Sequence, residues 1–446
     1  MQGAKLLYAA RRFMRWSGRH AEPSRRHPMQ EPAIQYIAAA LFAVALFHTF
    51  TVKQFERLSR RFPRHAGLFH LLGEVEIVFG FWAIVLVLAM ALLAGGDQAL
   101  TYAESRNYTE PLFVFVVMVV AASRPVLRTV MASVNIVARA VPLPTPIATA
   151  WLGLAAVPLL GSLITEPAAM TIAALMLAPQ IFRPQVPEAV KYLALGVLFV
   201  NVSIGGTLTS YAAPPVLMVA STWQWDSAFM LATFGWKAAL AVLANATIAT
   251  FALRKHLQGA SADGGSSEAG VPAPVVMTHL VLLAGIVMFA HHPVAFLGLF
   301  LMFLGFTQAY ERHQSPLILK EALLVGFFLA GLVVLGGMQR WWLQPVVSSL
   351  EPLALFFGAL GLTAITDNAA LTYLGSLIAG ISDKSKYMLL AGAVAGGGRT
   401  VIANAPNPAG VALLKKGFTD ETIGAGGLLL GALLPTGIAA AAFMFL

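Results

Sequence analysis

The chain has 446 residues, of which 58% are hydrophobic and only 11% are charged, and its formal net charge is +9. Soluble domains are about 45–50% apolar and about 25% charged, so this composition excludes an ordinary soluble protein. The absence of cysteine excludes disulfides, thiolate metal sites and thiol catalysis. We expect an all-α polytopic membrane protein, because a barrel would show short alternating segments in place of long apolar runs.

Residues 1–33 are predicted to form a basic N-terminal extension, which is too long for the n-region of a secretory signal. An anionic cytoplasmic membrane surface attracts such a segment. The basic residues crowd into this extension and the interhelical loops, which is typical of a membrane protein, and no nucleic-acid partner is predicted.

The rest of the chain contains about 10–12 hydrophobic segments of the length and apolarity expected near a bilayer. A tract rich in Gly, Ser, Ala and Pro within residues 253–274 is predicted to be a flexible linker. It divides the chain into a first repeat with scaffold helices (34–252) and a second repeat (275–446). The apolar runs are 34–51, 68–94, 111–123, 146–163, 189–222, 228–252, 275–290, 294–309, 321–338, 352–365, 387–414 and 422–446.

The first segments leave the membrane topology open. Residues 52–67 are as basic as the N-terminus although only 34–51 separates the two, so one of them breaks the positive-inside rule. Either 34–51 is re-entrant or the N-terminus lies outside. Glu74 and Glu76 follow in the next segment, two residues apart and therefore on different helix faces. Either could relay protons, and a structural hydrogen-bonding role is equally open.

Two polar stretches interrupt the apolar sequence and resemble each other. "LITEPAAMTI" (163–172) and "AITDNAALTY" (364–373) align without gaps and place Glu166 opposite Asp367. Each is followed by 10 to 15 apolar residues, which predicts a re-entrant hairpin with a polar tip. An acid within a membrane span is rare and by default functional; the alternative is an acid at a helix end that reaches the interface, with Pro167 marking the helix start.

A second doubled motif follows each hairpin. "IGGTLTSYAAPPV" (204–216) pairs with "GGGRTVIANAPNP" (396–408), so that two glycine pairs and two Ala-Pro pairs align. Such sequences cannot form a lipid-facing helix and predict a broken helix whose ends point at one site. Packing glycines and kinks are the alternative. The helix-break glycines are Gly205, Gly206, Gly397 and Gly398.

The order of hairpin, broken helix, linker, hairpin and broken helix resembles the ion transporter superfamily, which includes arsenite permeases, citrate and dicarboxylate carriers and sodium/proton antiporters. Residues 34–446 are most similar to a family of sodium/proton antiporters. The resemblance implies an inverted repeat and a secondary active transporter, most simply a sodium/proton antiporter with alternating access. Dicarboxylate carriers have Ser-Asn-Thr at the tips, whereas this chain has Thr-Glu-Pro and Thr-Asp-Asn, which favours a cation.

The resemblance also implies one site for Na+ and H+ at the two tips and two breaks. No cofactor is expected beyond the transported ions, and the partners are the lipid bilayer and small inorganic cations. Relatives similar to it are often homodimers, and a multi-pass protein of the bacterial inner membrane is expected. The implied cation and proton ligands are Thr165, Glu166, Thr366, Asp367 and Asn368 at the tips and Thr207, Thr209, Ser210, Asn404 and Asn407 at the breaks.

Charge repulsion supports the same chemistry independently. Two carboxylates facing each other in a low-dielectric site repel, so one proton is expected to stay until a cation replaces it. Two other functional classes stay open. A carrier for an oxyanion or small organic acid would use Arg399 and the helix N-termini, and a non-transporting scaffold would tolerate alanine at both tips. No enzyme is predicted, since "GGGRT" lacks the strand of a phosphate loop and no nucleophile setting is recognisable.

Overall fold

The computed structural model describes residues 30–257 and 270–446, and every regular element in these two ranges is helical. The predicted extension 1–33 lies outside the described residues except for 30–33, and the central part of the predicted linker 253–274 lies outside them as well. Of the predicted linker, residues 253–257 form the end of one helix, and residues 270–274 lead into and begin the next. The predicted all-α membrane fold is confirmed.

The helices, in chain order, are α1 (Gln30–Arg61), α2 (Ala66–Leu72), α3 (Val75–Ala94), α4 (Gly96–Glu104), α5 (Thr109–Ala121), α6 (Arg124–Ala140), α7 (Thr145–Leu154), α8 (Ala156–Ile164), α9 (Glu166–Leu177), α10 (Glu188–Gly205), α11 (Pro214–Trp223), α12 (Ser227–Met230), α13 (Trp236–Leu257), α14 (Ala273–Met288), α15 (Pro293–Ala309), α16 (Leu319–Gly336), α17 (Arg340–Ser348), α18 (Pro352–Leu362), α19 (Asn368–Ser376), α20 (Asp383–Gly396), α21 (Asn407–Leu414) and α22 (Ala425–Phe445).

Long apolar helices account for the membrane spans. In the described ranges, six helical stretches are long and apolar enough to cross a bilayer, and two bent pairs raise the number to eight. The bends are 64° between α5 and α6 and 42° between α7 and α8. The shorter apolar helices α9, α14, α15 and α18 supply the remaining hydrophobic segments. The interfacial or re-entrant position of any of them stays a prediction.

The first predicted segment is a single helix. α1 has 32 residues and runs without interruption through 34–51. At 1.5 Å per residue it is about 48 Å long, which exceeds the roughly 30 Å hydrocarbon thickness. The continuous helix does not turn back within 34–51, and whether this segment spans the membrane stays a prediction. The next predicted segment, 68–94, is divided at Gly73 and Glu74 into α2 and α3.

Each doubled acid motif joins two helices, and the first motif forms a closely packed hairpin. In the first, Thr165 alone joins α8 to α9 and has a φ of 85°, which is unusual for a β-branched residue. The arms touch closely, because a Cβ placed on Gly161 would lie 3.1 Å from the Cβ of Ala169. In the second, 363–367 joins α18 to α19, and the Asp367 side chain accepts hydrogen bonds from the first-turn amides of α19.

Both glycine motifs break a helix, as predicted. α10 ends at Gly205, one 3₁₀ turn follows, and α11 begins at Pro214. α20 ends at Gly396, and α21 begins at Asn407 after ten residues (397–406) outside the two α-helices. Proline occupies the first turn of both α11 and α21, where its missing N–H leaves no intrahelical bond unmade.

The two halves of the chain are interlocked. Within each half, the first arm of the hairpin packs on the first half of the broken helix, α8 on α10 and α18 on α20. The second arm instead packs on the opposite half of the chain, α9 on α21 and α19 on α11. This reciprocal exchange agrees with the predicted two repeats; the inversion of one relative to the other stays a prediction.

The backbones of α10 and α22 approach each other closely. A Cβ on Gly196 would overlap the backbone of Gly431, and a Cβ on Gly431 would overlap the carbonyl of Tyr192. Small residues at such crossings let membrane helices approach and pack. We expect α10 to depend on this contact for its position.

Replacing Gly196 by alanine tests that contact. Because the added methyl meets backbone that cannot rotate away, Gly196→Ala should destabilise the fold by about 1–3 kcal/mol. Thermal unfolding of the detergent-purified protein measures the effect. Gly437→Ala on α22 is the matched control, since nothing lies within 4 Å of a Cβ at that position. Equal stability of both variants would contradict this packing.

Candidate functional site

Glu166 lies at the tip of the first hairpin and contacts both helix breaks. Its side chain is fully buried, with 0% exposure. Its Oε2 accepts a hydrogen bond of 2.8 Å from Nδ2 of Asn404 in the second break. Its Oε1 faces the first break, where a Cβ on Gly206 would lie 2.5 Å away. As the first residue of α9, Glu166 also sits at the positive end of the helix dipole.

Asn368 and Asn407 meet at the other end of the site, around Gly397. Asn368, the first residue of α19, donates to Oγ of Ser203 on α10 at 3.4 Å. Asn407, the first residue of α21, donates to the carbonyls of Gly397 at 2.8 Å and Thr400 at 2.9 Å. A Cβ on Gly397 would lie 3.0 Å from Nδ2 of Asn368, so glycine is required for this approach.

Five predicted ligands present a buried oxygen that has no hydrogen-bond donor among the described residues. These atoms are Oγ1 of Thr165, Oε1 of Glu166, and the Oδ1 atoms of Asn368, Asn404 and Asn407. Each of the five residues is at most 2% exposed.

The orientation of the three amides follows from their partners. The nitrogen of each donates to an atom that accepts: a carboxylate for Asn404, a hydroxyl oxygen for Asn368, and carbonyls for Asn407. The hydroxyl of Ser203 donates elsewhere, to the Val394 carbonyl at 2.8 Å, so it is free to accept from Asn368. The amide oxygens must therefore be the atoms without a donor.

The three predicted ligands of the first break anchor the backbone there. Thr209 donates to the carbonyl of Ser162 at 2.7 Å, and Thr207 donates to the carbonyl of Ile204 at 2.6 Å. Ser210 shares a 3.1 Å hydrogen bond with Ser227 on α12. These hydroxyls hold the break against the first hairpin and α12, whereas the unpaired oxygens lie on the other predicted residues.

The second tip differs from the first despite the alignment. Oδ1 of Asp367 is occupied by the amides of Ala369 at 2.7 Å and Ala370 at 3.2 Å, and the residue is only partly buried. Thr366 beside it is also partly buried. The two acids therefore do not face each other as equals: one is buried, and the other caps a helix.

Comparison with known proteins agrees with this geometry. Residues 33–446 match the model of a family described as "Putative Na+/H+ antiporter". The chain belongs to this family. The comparison with curated proteins gives no match. The match covers both acid motifs and both breaks, and the predicted family and the predicted sodium/proton antiporter function are confirmed. Alternating access stays a prediction.

The structure separates the two candidate relay acids of the antiporter. Glu74 precedes α3 and lies 3.5 Å from both His70 and Lys320, in ion pairs that are partly exposed. Glu76 lies in the first turn of α3 and is partly buried.

Arg399 has a structural partner. Its guanidinium donates to the carbonyls of Leu360 and Gly361 in the last turn of α18. A cation at that position satisfies unpaired carbonyls and complements the negative end of the helix. Thr400 adds a bond of 3.0 Å to the carbonyl of Ala364, so this segment anchors the second hairpin to the second break.

Sequence reasoning missed three features of the antiporter site. Ser162 donates to the carbonyl of Gly205 at 2.6 Å and accepts from the amide of Leu208 at 3.0 Å, which makes it the main link between first hairpin and first break. Ser203 supports Asn368. A π-helical turn at Leu231–Gly235 packs against Leu208. Of these features, only the two serines could have been found from the sequence, because each places a hydroxyl within four residues of a motif.

Adding one methyl group at Gly206 tests the position of Glu166. The Cβ would overlap Oε1 and force the flexible carboxylate to move, so Gly206→Ala should weaken Na+ binding by about 10–100-fold with the fold retained. The Na+ concentration that half-maximally raises the melting temperature measures binding. Gly358→Ala, at a position with nothing within 4 Å, is the control. Unchanged Na+ binding in Gly206→Ala would contradict a site at Glu166.

Proposed function

We propose that the antiporter exchanges Na+ for H+ at one site formed by Thr165, Glu166, Asn368, Asn404 and Asn407. The observation that carries this proposal is their set of five buried oxygens without a donor. Leaving a buried acceptor unpaired costs about 1–3 kcal/mol per group, so five in one region call for a ligand that supplies positive charge. Hard oxygen donors suit an alkali cation.

Exchange follows from competition for Glu166. An isolated carboxylate in a low-dielectric interior is too costly to leave charged, so it carries either a proton or a cation. Asn404 supplies only one hydrogen bond, which does not replace the lost hydration. Na+ and H+ therefore exclude each other at Glu166.

Alternating access is proposed to move the two halves around this site. We take 34–252 and 275–446 as the two inverted repeats, with 253–274 as their linker. The reciprocal packing of α9 on α21 and of α19 on α11 supports this division. Thr366, Asp367, Thr207, Thr209 and Ser210 then line or support the site and are not its main ligands.

An anion carrier fits the site less well. Such a carrier needs unpaired N–H donors, whereas the unpaired side-chain atoms of the predicted ligands are oxygens. Arg399, the anion contact considered from the sequence, donates through Nη2 to two carbonyls of α18, and its buried Nε is left without a partner among the described residues. The geometry thus favours a cation over an oxyanion or organic acid.

The cellular setting is part of the same proposal. We place the antiporter in a bacterial inner membrane, where a proton gradient drives sodium export, and expect transport without a cofactor and without catalytic chemistry. A homodimer is the assembly we would test first, by cross-linking in native membranes.

Neutralising each acid in turn tests the exchange mechanism. Glu166→Gln should abolish Na+-dependent dissipation of a pH gradient in proteoliposomes, a loss of at least about 100-fold, because the variant cannot trade a proton for a cation. Asp367→Asn should raise the half-saturating Na+ concentration and keep the fold, since asparagine is an equally good N-cap.

In this assay, NaCl, LiCl and KCl are each added to the proteoliposomes and the loss of the pH gradient is measured. The variant Glu311→Gln, at an exposed position, is the control. Full activity of Glu166→Gln would refute the proposed site. A wild type that is silent to all three cations would refute cation exchange.

Glu76 is predicted to carry protons to the site. Glu76→Gln should lower the maximal exchange rate by about 100-fold and leave the half-saturating Na+ concentration unchanged. A positioned proton carrier contributes a factor of about 10²–10⁴, and this prediction takes the lower value. Glu74→Gln is the matched control two residues away, since an exposed ion pair contributes about 0–1 kcal/mol. Equal loss in both variants would contradict a specific relay.

A further inference from the structure

A cavity lies at the far end of the helix pair α11 and α19. Its volume is about 450 Å³, and Ser221 and Thr222 of α11 and Tyr373 and Ser376 of α19 line it. Both helices begin at the cation site, the first after a helix break and the second at a hairpin tip. With 1.5 Å per residue, α19 spans about 13 Å between the site and the cavity.

The corresponding end of the other helix pair is closed. α9 and α21 also begin at the site, and their last residues Leu177 and Leu414 are at most 1% exposed. Beyond them the rings of Phe182 and Phe418 pack with centroids 5.8 Å apart. Lys191, 2% exposed, donates to the carbonyl of Gly417 at 2.6 Å. The site is therefore flanked by a cavity in one direction and by packed side chains in the other.

A buried carboxylate lines the cavity. Glu110, in the first turn of α5, is 7% exposed and forms no ion pair with the described residues. Its Oε1 accepts from Oγ of Ser221 at 2.9 Å and from Nδ2 of Asn107 at 3.2 Å. These donors hold Oε1 in place and leave Oε2 as the acceptor for a passing ion.

Two arginines in the same cavity make this negative charge necessary. Arg106 donates to Oγ of Ser105 at 2.9 Å and stacks 4.5 Å from the centroid of the Tyr102 ring. Arg340 is exposed at the rim. These two arginines and Glu110 together carry a net charge of +1, and without Glu110 the charge would be +2. Glu110 therefore lowers the repulsion that the arginines impose on an entering cation.

We propose that this cavity is the aqueous entrance to the cation site on the side where α11 and α19 end, and that Glu110 is the carboxylate that offsets the arginine charge there and lets a cation enter. The inference rests on the proposed cation exchange and adds an entrance to it. The conformation is then the one in which this side is open and the Phe182–Phe418 side is closed.

Cysteine labelling tests the entrance without any exchange assay. The chain has no cysteine, so single substitutions need no prior background. Ser376→Cys in the cavity should react with a charged, membrane-impermeant methanethiosulfonate from one side of the membrane, and Leu177→Cys at the closed end should react more slowly from either side. Absence of labelling of Ser376→Cys from both sides, or equal labelling at both positions, would overturn the proposal.

Exchange kinetics test Glu110. Glu110→Gln should raise the half-saturating Na+ concentration about tenfold at low ionic strength, within the 10–10³ range by which charged clefts concentrate ions, with the maximal rate retained. Arg340→Gln should shift it the other way, and by less, because Arg340 is exposed. Choline chloride should reduce both shifts by screening. Glu110→Asp keeps the charge and should stay near wild type, as should Glu104→Gln on the exposed face of α4.

A failure of the proposed role of Glu110 can be distinguished from a failure of the proposed cation exchange. Wild-type affinity in Glu110→Gln, in a preparation where the wild type exchanges Na+ normally, would overturn the role of Glu110 alone. If Glu110→Gln does not fold, a shift of the wrong sign in Arg340→Gln overturns the same role. A wild type without exchange, in which Ser376→Cys is still labelled, would refute the proposed cation exchange and leave the entrance standing.

Discussion

A carboxylate removed from water has to be neutralised, and Glu166 is where this protein meets that constraint. The side chain is completely buried and has one hydrogen-bond donor, from Asn404. One neutral donor cannot replace the hydration of a charged group, so a proton or a cation must supply the rest. Both hairpin tips and both helix breaks are arranged around this requirement.

One proposed ligand, Asn407, also satisfies the backbone of a broken helix. Ending a helix inside a membrane leaves backbone carbonyls that need donors. Asn407 donates to the carbonyls of Gly397 and Thr400, and Ser162 donates to that of Gly205. Because an amide carries its donor and its acceptor on different atoms, the bonds that satisfy the backbone leave the oxygen of Asn407 without a partner. In the proposed site, Asn407 thus serves the broken helix through its nitrogen and a cation through its oxygen.

The sequence predicted the hairpins and the breaks because their signals are local: Gly-Gly, Ala-Pro and an acid among apolar residues, each occurring twice. The sequence did not predict that the side chains of Glu166 and Asp367 have different partners.

Asp367 is short enough to accept hydrogen bonds from the first amides of its own helix. Glu166 is longer and is followed by Pro167, which has no N–H, and it accepts a hydrogen bond from Asn404 instead. The cavity at Glu110 depends on five helices from both halves, and no local pattern encodes such a meeting.

The hydrogen bonds between the two halves of the chain explain how binding of the transported ion can be coupled to conformation. Each tip is bonded to the break of its own half, by Ser162 and by Arg399 and Thr400. Across the halves, Glu166 meets Asn404 and Asn368 meets Ser203. A hydrogen bond to a charged carboxylate is about twice as strong as one to a neutral acid. Replacing H+ by Na+ at Glu166 therefore changes the strength of a bond that joins the two halves, which is the differential interaction that a ligand needs in order to shift a conformational equilibrium.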